Sequence, residues 1–556
     1  MVSTKLTGEE YHVCIIGSGP AGVILALELS KKNPNKKILL LEYGTKDQPS
    51  RNGLDDSIMV NNTVNHHPPY ECTNKGLGGT TATWGGRCVM YDEVDFIDRP
   101  IVAGGCTWRQ DLYDEIKKYV APAADYFECG KPVFDLNELP EYRKRRISEN
   151  FVEEDVTDSV LERWSMPTRF GSRYENEIGQ NRSITFVEGV EARFFSAPND
   201  KGKIESLQVR FTANKDLVEI RARHFVLAAG TQETTRLLLR NKQIFEKIGG
   251  PSPALGRYYQ GHLSGKIASV KFTGDPRKTD YGFLRDSDGV YLRRRFQFSK
   301  KLLVEKNLLN TAIWLDNPLY FDPKHKSGPM SFMYLAMVTP FLGKKLAPPA
   351  IAHSITKGKI TGIGKHAMNI LRGLPGSIMT PASIFFRRYC LTRKLPGVFL
   401  YSPDNTYALH FHAEQIPDSS NRMELALDGE TLNIHYDLSE NDIQSVVRLH
   451  EVLDEHLQRT SSGKLDYWFP KSKLSEAIRT ISKDGIHQSG TTRIADSPQQ
   501  GVVDHDLRVW GTENIFVCSS SVFPTSGQAN PTFLIGAFAV RLAAYLNTID
   551  ENNSTR

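Results

Sequence analysis

One hexapeptide, Gly17-Ser18-Gly19-Pro20-Ala21-Gly22, constrains this chain more than any other stretch. Residues 12–16 (HVCII) before it form a short apolar run of β type, and an apolar pattern of helical period continues to about Lys32. A second apolar run at 37–41 ends on Glu42. The order predicts a β–turn–α–β unit. In such a unit Gly17 permits the tight turn, Gly19 lets the backbone approach a pyrophosphate, and Gly22 lets the helix pack on the strand. The helix start at Pro20 and Ala21 turns unpaired N–H groups toward the phosphates. Glu42 lies 20 residues beyond Gly22, where a carboxylate can accept hydrogen bonds from both ribose hydroxyls. Glycine-rich turns are common in purely structural roles. The strand before, the helix after and the acid at that distance together point to a dinucleotide site, without separating NAD from FAD.

A chain of 556 residues is too long for one ordinary core and suits two domains. With 40% hydrophobic and 24% charged residues it is neither disordered nor collagen-like. A net charge of +5 is too small to argue for nucleic acid as a partner. Seven scattered cysteines without a CxxC pair read as free thiols in a reducing compartment, and no metal site is expected. The polar start Met1–Glu10 does not read as a signal peptide, and no stretch reads as a transmembrane helix, so the expectation is a cytoplasmic protein. Strands are expected at 204–211 and 218–229. Helices are expected at 232–241, at 439–459 on the surface, and at 531–548 against a core.

Two further motifs carry chemistry. Gly76-Leu77-Gly78-Gly79-Thr80-Thr81-Ala82-Thr83-Trp84-Gly85-Gly86-Arg87 frees many backbone N–H groups for a ligand and holds Trp84 at its centre. Near the C-terminus His487-Gln488-Ser489-Gly490-Thr491-Thr492-Arg493 is followed by Ser521-Val522-Phe523-Pro524-Thr525 and Asn530-Pro531-Thr532. With Ala228-Ala229-Gly230, Leu255-Gly256-Arg257 and Glu414-Gln415, these motifs resemble the glucose-methanol-choline (GMC) flavoprotein oxidoreductases along almost the whole chain.

The resemblance implies non-covalent FAD as the cofactor. It implies a mixed-sheet, glutathione-reductase-like Rossmann domain from 1–100, 181–264 and 480–556, and an α+β substrate domain on an antiparallel sheet from 101–180 and 265–479. His487 matches the family's proton acceptor, with flavin N5 taking the hydride. Asn530 matches the second residue over the flavin, suited to holding the substrate oxygen. Gly79, Thr80, Trp84, Gly85, Val190, Ala229, Gly230, Ser520, Ser521, Asn530, Pro531 and Thr532 match cofactor positions. Thr83 stands where some members attach FAD through a His, which excludes that bond here. His412, Glu414 and Gln415 are candidate substrate residues, and His262 reads as structural.

The late motifs are most similar to the branch holding pyranose oxidases and bacterial sugar or glycoside dehydrogenases. That implies a sugar or glycoside alcohol as substrate, with O2 or a quinone as electron acceptor. The alternatives are a more apolar or lipid-linked alcohol, or a hydroxynitrile-type lyase that keeps FAD without using its redox chemistry. Between Asp322 and Asp404 there is no acidic residue, while 12 Lys or Arg fall in those 81 positions. This basic, Gly/Pro-rich insertion at 323–403 is read as a lid, a homo-oligomer contact or a peripheral contact with anionic membrane. Lys344-Lys345, Arg387-Arg388 and Arg393-Lys394 flank its apolar runs.

Overall fold

Gly17 sits where two strand ends meet. Its φ is +104°, and a Cβ there would lie 2.6 Å from the Ala228 carbonyl oxygen, so only glycine lets the chain leave the strand Glu10–Ile16 at this point. The helix Pro20–Lys32 follows immediately. At Gly22 a Cβ would come within 2.0 Å of the Gly17 carbonyl oxygen, so the helix can lie against the turn only without a side chain there. The computed structural model describes residues 9–46, 57–339 and 360–554. Phe341 and Lys344-Lys345, part of the basic insertion, fall outside the described residues.

The strand Glu10–Ile16 is central to a mixed seven-stranded sheet. On one side it pairs in parallel with Ile38–Leu41, which pairs with Ile184–Val187. On the other it pairs in parallel with the C-terminal half of Leu217–Leu227. That long strand also receives Ile515–Val517 in parallel and Ser206–Phe211 antiparallel, and the latter pairs with Val190–Phe195. The fully buried runs Ile38–Leu41 and Ile515–Val517 are continuous apolar strands, as a sheet covered on both faces requires. The C-terminal helix Pro531–Ser554 packs on Pro20–Lys32. Its stretch Pro531–Glu551 has the length and mean hydropathy of a membrane span, a signal the sequence reading passed over. It is 67% buried in this core.

A second core forms on an antiparallel sheet ordered Thr311–Asp316, Thr406–Glu414, His262–Phe272, Gly463–Tyr467. The helix Glu440–Arg459 starts in a capping box, with Asp442 N–H donating to Ser439 Oγ and Ser439 N–H to Asp442 Oδ2. Its Ile443, Val446, Leu449 and Leu453 lie in this core with Leu409 and Phe411. The helix expected on the surface is therefore half core.

Two short strands pair across the boundaries expected from sequence. Ile58–Val60 joins Leu432–His435, and Arg87–Cys88 joins Leu161–Trp164, which in turn pairs with Tyr291–Arg294. Strands of two or three residues carry too little periodicity to be read in advance. The basic insertion, despite its Gly/Pro-rich composition, contains the helices Gly328–Val338, Ile363–Arg372 and Gly376–Tyr389.

Nine histidines are held below their ordinary pKa, burial being the first cause in each: His12, His66, His262, His325, His366, His410, His412, His450 and His456. For His325 and His450 the value falls to about 4. The unfolded chain takes up these protons below about pH 6.5 and the folded chain only at lower pH, so the folded state loses stability as pH falls. Four aspartates raised by burial, Asp95, Asp504 and, up to about 6, Asp158 and Asp442, act with the opposite sign but are fewer. Urea unfolding is expected to show a lower midpoint at pH 5 than at pH 7.5; an equal or higher midpoint at pH 5 contradicts neutral burial of these rings.

Candidate active site

Between the two glycine loops lies a cavity of about 400 Å³, within the roughly 300–1,000 Å³ usual for ligand sites. Three helices start at its wall, at Pro20, Gly230 and Pro531, and a helix start turns unpaired N–H groups and partial positive charge outward. Gly17, Gly19, Pro20, Ala21, Glu42, Gly79, Thr80, Trp84, Val190, Ala229, Gly230, Ser520, Pro531 and Thr532 all line it. Gln232, unassigned from sequence, is buried in this wall with neither amide atom hydrogen-bonded. A cavity with glycine floors, three helix starts and an unspent amide fits a dinucleotide such as FAD, with the pyrophosphate at the helix starts.

Several expected cofactor positions are not in that wall. Gly22 is used in packing against Gly17. Thr83 and Gly85 are exposed, and Thr83 Oγ1 accepts from Asn74 Nδ2 at 2.6 Å. Ser521 is fully buried and accepts from Thr492 Oγ1 at 2.6 Å. Asn530 faces the catalytic side instead. Glu42 needs a different correction. Its Oε2 accepts from Ser18 N–H (3.0 Å) and Ser18 Oγ (2.7 Å), and its Oε1 from the N–H groups of Gly44 (2.9 Å) and Gly76 (2.8 Å). A carboxylate has about four acceptor positions, and here four protein donors fill them. Glu42 ties the first turn to the second glycine loop and has little capacity left for a ribose.

The catalytic candidates do come together. His487 Nε2 and Asn530 Nδ2 are 2.6 Å apart. Asn530 Oδ1 accepts from Arg87 Nε at 2.7 Å and from a second nitrogen of the same guanidinium. Arginine only donates, so the amide oxygen must face it and the amide NH2 must face His487. An NH2 also only donates. His487 Nε2 is therefore an acceptor, and the ring proton sits on Nδ1. That nitrogen lies 3.6 Å from Asp484 Oδ2. Asp484 is buried, and its other oxygen accepts from the N–H groups of Ile486 (2.8 Å) and His487 (3.1 Å). Burial opposes its ionisation, but attraction from His487 and bonds from His262 and His487 hold its carboxyl well below the usual range.

Arg87 is placed by a sheet face. Leu161–Trp164 lies between Arg87–Cys88 and Tyr291–Arg294, with Arg87 opposite Trp164 and Arg293 opposite Glu162. Cross-strand partners and i,i+2 neighbours share a face, so Arg87, Glu162 and Arg293 converge. Glu162 Oε1 meets Arg87 at 3.2 Å, its Oε2 accepts from Arg293 Nε at 2.7 Å, and Arg295 lies 3.9 Å away. Burial lowers the Arg87 pKa to about 10, leaving it a cation at neutral pH. The Trp314 ring is approached by the Arg87 (4.9 Å) and Arg293 (4.4 Å) guanidiniums and stacks on His410.

Of the expected substrate residues only His412 reaches this centre. Its ring stacks on His262 at 4.2 Å and meets His487 edge-on at 5.3 Å. Its Nδ1–H donates to the Gln528 carbonyl at 2.6 Å. His262, expected to be structural, touches His487 at 5.1 Å. The three rings bring one nitrogen each within 4.8 Å of the others, a spacing that metal ligands can have and that the sequence reading did not foresee. Glu414 and Gln415 are structural. Glu414 is fully buried against Arg99 (2.6 Å) and Asn310 N–H (2.8 Å). Gln415 bridges Gly261 N–H and the Asp437 carbonyl. The sequence reading missed Arg87, Glu162, Arg293, Trp314 and Asp484. Asp484, three positions before His487, was the one with a local signal.

Residues 417–539 match the family described as GMC oxidoreductase. Over 63 residues the chain is 38% identical to 2-methyl-1,2-propanediol dehydrogenase of Mycolicibacterium austroafricanum, which is 11% of either protein. Over 57 residues it is 39% identical to dehydrogenase str4 of Strobilurus tenacellus, 10% of this chain and 9% of that one. These alignments span about a tenth of the curated relatives. Among solved structures, pyridoxine 4-oxidase from Mesorbium loti superposes with a TM-score of 0.53 at 16% identity, over 97% of this chain and 99% of that one. A formate oxidase variant of Aspergillus oryzae studied for FAD modification gives 0.51 at 15%, over 98% and 99%. A fungal aryl-alcohol oxidase gives 0.50 at 13%, over 97% and 99%. Residues 417–539 thus carry the C-terminal domain of the GMC oxidoreductases, and the chain as a whole shares the fold of these oxidases.

Proposed function

We propose that this protein is a FAD-dependent oxidoreductase acting on the CH–OH group of an alcohol, with a sugar or glycoside hydroxyl as the substrate class. The observation that carries the reading is the chain Arg87–Asn530–His487–Asp484, which sets an accepting imidazole nitrogen against the Asn530 amide, the residue immediately before the cavity-lining pair Pro531–Thr532. FAD held in that cavity supplies the hydride acceptor.

The remaining chemistry belongs to side chains. When substrate binds, the Asn530 N–H turns from His487 Nε2 to the substrate oxygen, which frees Nε2 to take the hydroxyl proton. The hydroxyl proton would go to His487, and FAD held by the glycine loops and the three helix starts would supply the hydride acceptor that a carbonyl product requires. As Nε2 gains its proton, the new imidazolium faces the ionised Asp484. The Arg87 guanidinium, held at the Asn530 amide oxygen, places positive charge beside the place where alkoxide charge develops. The polar lining and the Trp314 platform suit a hydroxylated ring, in line with the similarity of the late motifs to sugar-oxidising members.

Pure protein is expected to be yellow and to release all its flavin on acid precipitation, since Thr83 offers no attachment. Flavin that stays with the washed precipitate overturns the non-covalent assignment.

His487→Ala should keep FAD but slow anaerobic flavin reduction by about 10²-fold or more. Asp484→Asn should slow it less and displace the pH profile, because the imidazolium loses its partner. An unchanged rate in His487→Ala removes His487 as the base.

An anaerobic screen of sugars, glycosides and apolar alcohols tests the reading as a whole. Bleaching by sugars or glycosides supports the substrate class. Bleaching confined to apolar alcohols corrects it. Cleavage of a cyanohydrin without bleaching would identify a lyase.

A further inference from the structure

We propose that the outer face of the helix pair Ile363–Arg372 and Gly376–Tyr389 docks on an anionic lipid bilayer surface. The pair is turned inside out. Its buried side carries polar groups. His366 Nδ1 meets Ser331 Oγ at 2.9 Å, Asn369 Nδ2 donates to the Pro323 carbonyl at 3.0 Å, and Ser377 Oγ donates to the Ile370 carbonyl at 2.9 Å. Its solvent side carries Ile363, Leu371, Ile378, Met379, Phe385 and Phe386, each at least half exposed. Of the 21 large apolar side chains exposed among the described residues, ten fall between 360 and 389. A water-facing helix places its apolar stripe inward. Concentrated apolar exposure of this kind marks an interaction surface.

Charge selects the occupant. Lys365, Arg372 and Arg387 are exposed on the same two helices. Among the described residues none of the three has a carboxylate partner, and no acidic residue occurs from 323 to 403. Apolar side chains set among unpaired cations fit the boundary between acyl chains and anionic headgroups. Neither helix, at 10 and 14 residues, is long enough to span a bilayer, which needs about 20, so the contact is interfacial.

The face is packed onto the rest of the molecule. The helix Gly328–Val338 packs beneath both helices, and a Cβ on Gly328 would meet Ser377 Oγ at 2.0 Å. Ile384 is buried with Trp164 and Tyr291, and Trp164 carries the Arg293 guanidinium at 5.0 Å. That guanidinium shares Glu162 with Arg87.

The test is co-sedimentation of the flavin-loaded, full-length protein with phosphatidylcholine vesicles, with and without phosphatidylglycerol, at low and high salt. Binding is expected only with phosphatidylglycerol and should weaken with salt. Arg372→Gln with Arg387→Gln should weaken it by roughly fivefold per cation removed. Phe385→Ser with Phe386→Ser should weaken it by roughly tenfold or more, with flavin content and oligomeric state unchanged. Absence of binding to both vesicle types at low salt overturns the proposal. So does a wild-type dimer in solution that the Phe385→Ser, Phe386→Ser variant splits, since a second copy of the chain would then be the occupant.

Discussion

The buried carboxylate of Glu162 is the constraint on which the catalytic centre depends. It sits opposite Arg293 on a three-strand face and also receives Arg87. Without it Arg87 and Arg293 would be buried charges lacking their ion-pair partner in a low-dielectric interior. With it, Arg87 is fixed at the Asn530 amide oxygen, the amide is fixed toward His487, and the imidazole tautomer follows from donor and acceptor counting alone. The tautomer of His487 is thus set by a carboxylate that never touches it.

The folding unit around Gly17 was legible because its signals are local. A strand, a turn that admits only glycine and a helix follow one another within 25 residues, and the steric reasons appear unchanged in the structure. Glu42 was correctly placed at a strand end and does line the cavity, but its protein partners were not foreseen. Spacing fixes where the carboxylate stands, not which loops bring donors to it, and the donor at Gly76 comes from 34 positions away. Arg87, Glu162 and Arg293 were not legible for the same reason. Their meeting depends on two- and four-residue strands that leave almost no periodic trace. Glu414 was read as a pocket residue because nothing in the sequence reveals that Arg99 neutralises it.

The fold is shared with oxidases whose names cite pyridoxine, formate and aryl alcohols. A scaffold common to such different molecules cannot by itself specify a substrate. The difference must lie in the wall beside His487, and in this chain that wall is made of Arg87, Arg293, Trp314 and His412. It is also the wall that packs, through Trp164, against the basic helical insertion, so the segment of most unusual composition adjoins the segment that would choose the substrate.

The cavity owes its character to direction as much as to side chains. Three helices begin there, each presenting the positive end of its backbone dipole. A field of that kind is fixed by the course of the main chain. It does not titrate, it cannot be neutralised by replacing one residue, and it needs no reorganisation when charge appears. Any bound group that becomes more negative on accepting electrons is stabilised in proportion, so the electron affinity of the site is written largely into the backbone.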